Sequence, residues 1–406
     1  MARILSSHRI VTCDPAHATS ADPLGVLDDA ALVIDKGLVV AVGPRAEIVE
    51  RFPALSVERA DGVITPGLID AHTHAPWMGS RDDEYVLRMA GASYEDIAEA
   101  GGGILSSMRA VRAATIDEMA TALMARLRRM AALGVTTVEA KSGYGLDETT
   151  ERKQLEAIDE ATNYAFLPRL VPTYLALHAL PPEANGDKDA YTATVASKWL
   201  PGIAAAGLAR FVDAYVDRSA FSAAQARVVL ARARELGLGV RLHVGQFADI
   251  GGAELAAELG ASSADHLEVV GPEGIAAIAA AGVRAVLLPI ASFTLGKAPP
   301  PIAALRAAGV PLVVASDANP GTAPTESLPL ALALAVRNYG LTPAEALLGA
   351  TREAAAALGL ADVTGVLRAG LAADLVVWDL PHENGVLQPW GTSRARSVMR
   401  AGAAIG

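Results

Sequence analysis

From about residue 63 onward the chain repeats one pattern, a short run of apolar residues followed by a longer stretch rich in alanine and leucine. Helical stretches of this kind include residues 116–133 and 223–236. The strand-like runs lie at residues 63–64, 134–140, 169–175, 211–216, 239–243, 263–266, 285–289 and 311–317. Because eight alternating strand and helix units are what a (β/α)8 barrel requires, the pattern predicts an α/β fold with a TIM-type barrel.

The two ends of the chain follow a different pattern. Residues 31–34 and 38–42 are short apolar runs separated by glycine-containing turns, which is typical of small β-strands. Residues 365–378 indicate a turn and a further buried strand. We therefore expect residues 1–62 and 366–406 to combine in one small β domain, with the barrel in residues 63–365.

The composition argues against disorder and against polyanionic partners. Of the 406 residues, 52% are hydrophobic and 19% are charged, so the chain has enough apolar surface for a large core. The formal net charge of −11 disfavours a general nucleic-acid surface or an anionic membrane surface, since both need an excess of Lys and Arg. A small anionic substrate needs only a local cluster of cations.

Cysteine usage and hydropathy predict a cytoplasmic protein. The single cysteine, Cys13, cannot form an internal disulfide, which fits a reducing compartment. The first eight residues lack the apolar stretch of a secretory signal. The longest apolar tract, residues 276–295, is interrupted by Arg284 and Pro289, so it predicts a helix, a turn and a buried strand instead of a membrane span.

Polar residues lie where a barrel places its active site. His243, His266 and Asp317 each end an apolar strand, and the carboxyl ends of barrel strands form the catalytic face. His72 and His74 are two residues apart, so on a strand they project to one side and can share a metal. With His243 and Asp317 they make three imidazoles and one carboxylate, a set that suits a divalent transition metal.

Such a metal lowers the pKa of a bound water to ~7 and so provides a hydrolytic nucleophile without Ser or Cys. Asp317 is then placed to take the proton of that water, and His266 to orient the water or the polarised oxygen. We expect one divalent ion, Zn²⁺ in the first place, with Fe²⁺ as the alternative.

These residues lie in segments that resemble the imidazolonepropionases of the amidohydrolase superfamily. The resemblance covers nearly the whole chain. It implies a barrel with a small β-sandwich made from both chain ends, a homodimer, and hydrolysis of 4-imidazolone-5-propionate to N-formimino-glutamate in histidine breakdown. The segments that carry it are residues 72–74, 79–85, 101–106, 141–146, 177–183, 251–256, 263–267 and 316–321.

The resemblance also implies a set of contacts to the propionate of a substrate. Arg81, Tyr94 and Tyr144 match residues that surround this group, and a guanidinium with phenol hydroxyls suits a carboxylate. Two alternatives stay open from the residues alone. Tyr94 would otherwise pack on the barrel rim, and Arg81 would otherwise form a surface ion pair with Asp82 or Glu84.

Further positions match the family less directly. His178 corresponds to a residue that contacts the substrate ring, and Asn319 and Gly321 follow the metal-site aspartate in the family's loop. Lys141 is similar to the carbamylated lysine of two-metal relatives, but it lies on an earlier strand than that residue does. We therefore prefer a site for one metal.

The chain departs from the family beside its third metal-binding histidine. In imidazolonepropionases this strand continues with Ala, Asp, Glu and Phe, whereas here His243 is followed by Val244, Gly245, Gln246 and Phe247. The resemblance implies that the missing glutamate contacts the ring nitrogens and moves protons. Gln246 can hold a ring edge by hydrogen bonds but cannot transfer a proton.

Three interpretations follow. In the first, the chain hydrolyses imidazolonepropionate, with Asp317 or His178 replacing the glutamate; loss of a general acid or base costs ~10²–10⁴-fold in rate. In the second, Gln246 marks another ring, a hydantoin or the thiohydantoin 3-(5-oxo-2-thioxoimidazolidin-4-yl)propionate from ergothioneine breakdown, which would lose hydrosulfide. In the third, the chain is a catalytically silent metal-binding homologue, although the retained ligands and carboxylate contacts disfavour it.

Overall fold

Five short strands precede the barrel. In the computed structural model, which describes residues 2–92, 96–97, 100–388 and 391–406, they are β1 (Arg3–Val11), β2 (Val26–Asp35), β3 (Leu38–Pro44), β4 (Val57–Arg59) and β5 (Val63–Pro66). β1, β2 and β3 form an antiparallel meander. β4 and β5 lie parallel to β1. The apolar runs at 31–34 and 38–42 lie in β2 and β3, as predicted.

One strand assignment was wrong. Residues 63–64 were expected to open the barrel, but they lie in β5, which belongs to the sheet of the chain ends. Pro66 ends this strand, and Gly67 lets the chain pass close to the barrel, because a Cβ at this position would lie 2.1 Å from Thr136 Oγ1. The apolar run that continues to residue 70 is therefore divided between two sheets.

Eight parallel strands follow in sequence order around the barrel. They are β6 (Leu68–Asp70), β7 (Val135–Lys141), β8 (Arg169–Leu177), β9 (Phe211–Val216), β10 (Gly239–Val244), β11 (Ser263–His266), β12 (Arg284–Leu287) and β13 (Leu312–Val314). A parallel bridge between Thr73 and Ala318 joins the first and last strands beyond their carboxyl ends. Asp70 supports this closure by accepting the Ser316 N–H at 3.0 Å and its hydroxyl at 2.5 Å. The predicted TIM-type barrel is confirmed.

The C-terminal strands return to the first sheet. They are β14 (Leu375–Trp378), β15 (Ala395–Arg400) and β16 (Ala403–Ala404). β14 pairs antiparallel with β5, so the described strands of both chain ends form one sheet in the order β16-β15-β14-β5-β1-β2-β3, with β4 also on β1. The predicted small β unit made from both chain ends is confirmed as a sheet separate from the barrel.

The first helix packs on β2 and β3, and the later helices lie between the barrel strands or follow the last of them. They are α1 (Arg45–Arg51), α2 (Asp82–Met89), α3 (Ile104–Ala113), α4 (Ile116–Ala132), α5 (Glu148–Thr162), α6 (Lys188–Thr194), α7 (Leu200–Ala205), α8 (Ala223–Glu235), α9 (Gly252–Glu258), α10 (Pro272–Ala281), α11 (Pro289–Leu295), α12 (Ile302–Ala307), α13 (Leu328–Tyr339), α14 (Pro343–Gly349) and α15 (Arg352–Ala357). Shorter turns lie at Pro182–Ala184, Val195–Trp199 and Glu383–Leu387.

Local sequence explains where the long helices begin. α4 starts after Thr115, whose hydroxyl accepts the N–H of Glu118 while the Glu118 carboxylate accepts the N–H of Thr115. Their apolar faces pack on barrel strands, which are buried along their whole length in β7 and β9. Within the described residues, no helix is long and apolar enough to cross a membrane.

Candidate metal centre and substrate pocket

The residues directly after β6 are anchored on the neighbouring strand β7. Thr73 donates its N–H to Glu139 Oε2 at 3.1 Å and its hydroxyl to the Glu139 carbonyl at 2.7 Å. These two bonds hold the segment between His72 and His74. Both imidazoles are thereby directed towards His243 at the end of β10, as their spacing predicted.

The four predicted ligands converge. Nitrogens of His72, His74 and His243 all lie within 4.8 Å of one another. Asp317 Oδ1 lies 3.5 Å from the Nε2 atoms of both His72 and His74, and the Nε2 atoms of His243 and His74 are 3.4 Å apart. His72 Nε2 is buried and has no hydrogen-bond partner in the described part of the chain. This donor set fits one divalent metal; we name these four residues the ligand cage.

The imidazoles of the cage are in the form that binds metals. Burial lowers the pKa of His72, His74 and His243 well below the usual range, and nearby cationic groups act in the same direction. Neutral imidazoles offer a lone pair to a cation. Burial raises the pKa of Asp317 to about 7, while His266 acts in the opposite direction.

Two residues of the site, Asp317 in the cage and His266 beside it, have a strained backbone conformation. His266 has a φ of 80° and Asp317 a φ of 57°, in the left-handed region that residues other than glycine rarely adopt. Such conformations cost on the order of 1–3 kcal/mol and persist where surrounding contacts enforce them. For Asp317 one such contact is the bond from its N–H to the His72 carbonyl at 3.1 Å.

Carboxylates stand behind two of the cage histidines. His72 Nδ1 lies 2.6 Å from Asp265 Oδ2, and His243 Nδ1 lies 3.0 Å from Asp213 Oδ1. A carboxylate accepts a proton from Nδ1, so each imidazole presents the lone pair of Nε2 to the cage. The same arrangement orients histidine ligands in many metal sites.

Two cations balance these carboxylates in the barrel interior. Lys141 Nζ donates to Glu139 Oε1 and to Asp213 Oδ2, both at 2.8 Å, and Arg241 donates to Asp265 Oδ2 at 3.2 Å. Burial lowers the pKa of Lys141, but Asp213 and Glu139 outweigh it and raise the pKa overall. A protonated amine does not react to form a carbamate, which agrees with the preference for one metal.

A pocket opens over the ligand cage, and most of the predicted site residues line it. Tyr94 lies outside the described residues. The lining residues are His74, Arg81, Ile104, Tyr144, His178, Tyr215, His243, Gln246, His266, Asp317, Asn319 and Thr322.

Arg81 is buried in this pocket and forms an ion pair there. Its guanidinium donates to Glu84 Oε2 through Nε at 2.8 Å and through a terminal nitrogen at 2.7 Å. Glu84 is the ion-pair partner that the sequence offered as an alternative, but the pair is not on the surface, because Arg81 is only 6% exposed. Gly321 packs against the guanidinium, and a Cβ on it would lie 2.3 Å from a terminal nitrogen of Arg81. Gly321 therefore makes room for Arg81.

The loop that carries Tyr144 is organised by a buried carboxylate. Glu151 accepts the N–H groups of Gly143 and Gly145 at 2.7 Å and of Leu146 at 2.8 Å. Burial raises the pKa of Glu151 to about 7, although these bonds act in the opposite direction. The loop places the Tyr144 ring 5.8 Å from the His74 ring, measured between centroids.

His178 stacks on the cage. Its ring lies 5.2 Å from the His74 ring at an interplanar angle of 25°. Its Nδ1 is 2.7 Å from the Gly143 carbonyl, an acceptor, so Nδ1 carries the proton and Nε2 does not. Burial lowers the pKa of His178 to about 4, so the ring is neutral at physiological pH.

Two residues that were not identified from the sequence, Tyr215 and Asp217, position Gln246. Its Oε1 accepts the hydroxyl of Tyr215 at 2.8 Å. The loop that carries it is fixed by Asp217, which accepts the Phe247 N–H at 2.8 Å. With Oε1 engaged, the Gln246 amide presents Nε2, a hydrogen-bond donor, to the pocket.

Asn319 uses its amide within its own loop. Nδ2 donates to the Asp317 carbonyl at 2.7 Å and to the Thr322 hydroxyl at 2.9 Å. Oδ1 accepts the N–H groups of Gly321 and Thr322, both at 2.8 Å. In this arrangement Asn319 shapes the loop after Asp317, and direct contact with a substrate stays a prediction.

Comparison with known proteins is consistent with this geometry. The profile of the amidohydrolase family matches residues 63–402. The imidazolonepropionase of Mesorhizobium japonicum is 47% identical over 373 residues, which cover 89% of this chain and 90% of that protein. The imidazolonepropionase of Ralstonia nicotianae is 45% identical over 388 residues, which cover 95% of each. This chain is an imidazolonepropionase-like member of the amidohydrolase family. The resemblance inferred from its motifs is confirmed.

Solved structures share the fold of this amidohydrolase. Atrazine chlorohydrolase from Arthrobacter aurescens, complexed with zinc, has a TM-score of 0.68 at 19% identity, covering 99% of this chain and 94% of that one. An adenosine deaminase from Xanthomonas campestris with bound zinc has a TM-score of 0.68 at 22% identity, covering 99% and 92%. At this identity the likeness concerns the fold alone.

Several residues that shape the amidohydrolase site were missed in the sequence. Asp213 was visible as a charged residue inside an apolar strand, and Asp265 directly precedes His266. Either position could have been questioned, since a buried charge needs a partner. Tyr215 and Glu151 gave no such signal, because a tyrosine in a strand and a glutamate in a helix are ordinary.

Proposed function

We propose that this chain hydrolyses a five-membered nitrogen heterocycle that carries a short carboxylate side chain. The observation that supports this most is that one pocket is lined both by Arg81 and by three residues of the ligand cage, His74, His243 and Asp317. A carboxylate bound at Arg81 would hold the ring over the cage. Cytoplasmic location and assembly as a homodimer stay predictions from the sequence.

The residues around the pocket have different roles in such a reaction. A divalent ion would supply Lewis acidity and an activated water; Zn²⁺ is the first candidate and Fe²⁺ the alternative. Asp317 accepts the proton of the attacking water and returns it to the leaving atom. His178, neutral and fixed by Gly143, offers Nε2 as an acceptor for a ring N–H. His266 lines the same pocket, where its Nε2 can orient the attacking water as an acceptor.

The first candidate substrate is 4-imidazolone-5-propionate. Water adds to the ring carbonyl carbon, the C–N bond to the neighbouring nitrogen breaks, and that nitrogen takes a proton. The product is N-formimino-glutamate. The names of the relatives from Mesorhizobium and Ralstonia support this candidate.

The second candidate is the thiohydantoin 3-(5-oxo-2-thioxoimidazolidin-4-yl)propionate, and the orientation of Gln246 favours it. A carboxylate at position 246 would offer acceptors to ring N–H groups, whereas Nε2 of Gln246 offers a donor to a C=O or C=S group. Water would add to the C=S carbon and hydrosulfide would leave, so that C=O replaces C=S. Hydrosulfide needs little protonation to leave, so no acid is required at position 246.

The decisive experiment is to incubate the purified, metal-loaded protein with each compound while measuring both sulfide and N-formimino-glutamate. Sulfide release with slow imidazolone turnover would support the thiohydantoin. Fast imidazolone turnover without sulfide would exclude it. Turnover of neither compound would contradict the proposed function as a whole.

A Gln246→Glu variant tests whether position 246 selects between the two compounds. We expect it to raise activity on imidazolonepropionate and to lower activity on the thiohydantoin, because the carboxylate regains acceptors and a proton carrier. Arg81→Lys is the control for binding of the propionate that both compounds carry. It keeps the charge but loses the planar guanidinium, so KM should rise for both compounds. The ratio of kcat/KM between the two compounds should stay the same.

A further inference from the structure

A third histidine at the site faces a carboxylate. His266 Nδ1 lies 3.6 Å from Glu268 Oε2. Both atoms are buried, and neither has a hydrogen-bond partner in the portion of the chain that the structure describes. The two atoms are complementary, since Nδ1 can donate and the carboxylate oxygen can accept.

The other carboxylate oxygen of Glu268 is held by a side chain from a helix. The hydroxyl of Ser292 in α11 donates to Glu268 Oε1 at 2.6 Å. The hydroxyl of Tyr339, at the end of α13, lies 2.6 Å from the same Ser292 oxygen. All three side chains are buried, with exposures of 8%, 2% and 6%. A chain of polar groups from two helices thus ends at His266.

Comparison with the cage shows what this carboxylate does. Asp265 and Asp213 stand behind His72 and His243, and those imidazoles turn Nε2 to the cage. His266 is not in the group of three histidines whose nitrogens converge, yet it lines the same pocket, with its ring centroid 5.6 Å from that of His243. A proton held on its Nδ1 leaves Nε2 to act on a bound substrate.

We propose that Glu268 is a positioning residue that acts through His266. It holds the Nδ1 proton so that Nε2 faces the reacting carbon, and Ser292 with Tyr339 holds Glu268 in place. The proposal rests on the proposed function, because it concerns the same reaction. The 3.6 Å distance is longer than a hydrogen bond, and we expect it to shorten when substrate fills the pocket.

The test compares Glu268→Gln with wild type. If Oε1 of the glutamine keeps its bond from Ser292, the amide NH₂ faces His266 Nδ1 and forces the proton to the other ring nitrogen. We expect kcat to fall ~10–100-fold, the range found for residues that orient site imidazoles. KM and metal content should change less than about twofold, because Glu268 contacts neither the cage nor the carboxylate of the substrate.

Two further variants separate charge from shape. Glu268→Asp keeps the carboxylate and should recover part of the lost kcat. Ser292→Ala keeps Glu268 but removes one hydrogen bond, so its kcat should fall by only about 2–10-fold. If Glu268→Gln keeps the kcat of wild type, or loses metal and folded protein in proportion to activity, the positioning role is wrong.

A readout independent of turnover distinguishes this proposal from the proposed function. In metal-loaded protein with ¹⁵N-labelled histidine, the ring of His266, assigned with a His266→Gln variant, should carry its proton on Nδ1. In Glu268→Gln the proton should be on Nε2. The same tautomer in both proteins would overturn the positioning role even if either substrate is hydrolysed, and a change of tautomer would support it even if neither is.

Discussion

Two sides of one pocket are built by different means. On the cage side, His72 and His243 are each backed by a carboxylate, at 2.6 and 3.0 Å, and those carboxylates are in turn paired with buried cations. On the side of His178 and Gln246, two residues that we name the ring wall, the backing groups are neutral. His178 donates to a backbone carbonyl, and Gln246 accepts a phenol hydroxyl.

This difference indicates that the groups behind the cage determine metal affinity, whereas the ring wall determines which substrate ring is bound. Charged partners behind the cage make its imidazoles better ligands and fix their orientation, whatever the substrate. Neutral partners on the ring wall only decide which atoms are donors and which are acceptors. A change on the wall should therefore alter the choice of substrate and leave the metal in place, whereas a change behind the cage should do the reverse.

The largest effect should come from removing a cage ligand. In His243→Ala the site loses one of its three imidazoles, so we expect bound metal, measured by atomic emission after dialysis, to fall from about one equivalent to near zero. Activity should fall to background on every substrate. Gln246→Ala is the control on the ring wall and should retain its metal. A Gln246→Ala protein that also loses its metal would show that the two sides are not separate.

The next effect tests the carboxylates behind the cage. Asp265→Asn keeps the shape but weakens the acceptor for His72 Nδ1 and leaves Arg241 without its charge partner. We expect metal affinity to fall ~10–100-fold, as for other groups behind histidine ligands. Competition with a chelator measures this, and excess metal should restore kcat. Asp213→Asn is the matched variant behind His243. Full affinity in both would contradict the role given to these carboxylates.

The two sides also differ in how well the sequence predicted them. The cage was predicted because its members follow strands, and strand ends meet on one face of a barrel. Its backing groups were missed because the pairs form across long separations, such as the 193 positions between His72 and Asp265. On the ring wall, Gln246 was noticed only through resemblance, and its partner Tyr215 lies 31 positions away.

The misassigned strand has a similar cause. Residues 63–64 have the apolar character of a barrel strand, and only their pairing with β1 and β14 places them in the other sheet. Local pattern predicts that a strand forms but not which strand it joins. The orientation of the Gln246 amide cannot be predicted from local sequence for the same reason, since it depends on the hydroxyl of Tyr215 in another strand.

The smallest effect concerns that hydroxyl. Tyr215→Phe removes the hydrogen bond to Gln246 Oε1, so the amide can turn and offer either atom to the ring. A buried hydrogen bond contributes about 0.5–1.5 kcal/mol, which corresponds to a change of about 2–10-fold in the ratio of kcat/KM between the thiohydantoin and the imidazolone. We expect the ratio to move towards the imidazolone, with metal content unchanged.

The control for this change is Tyr191→Phe, which removes another buried hydroxyl. Tyr191 donates to the Leu146 carbonyl at 3.4 Å and lies outside the lining of the substrate pocket. Its loss reports the general cost of deleting a phenol oxygen, so the substrate ratio should stay within about twofold of wild type. If both variants shift the ratio equally, Tyr215 does not select the ring. If only Tyr215→Phe does, the orientation of Gln246 is set by its partner and not by the cage.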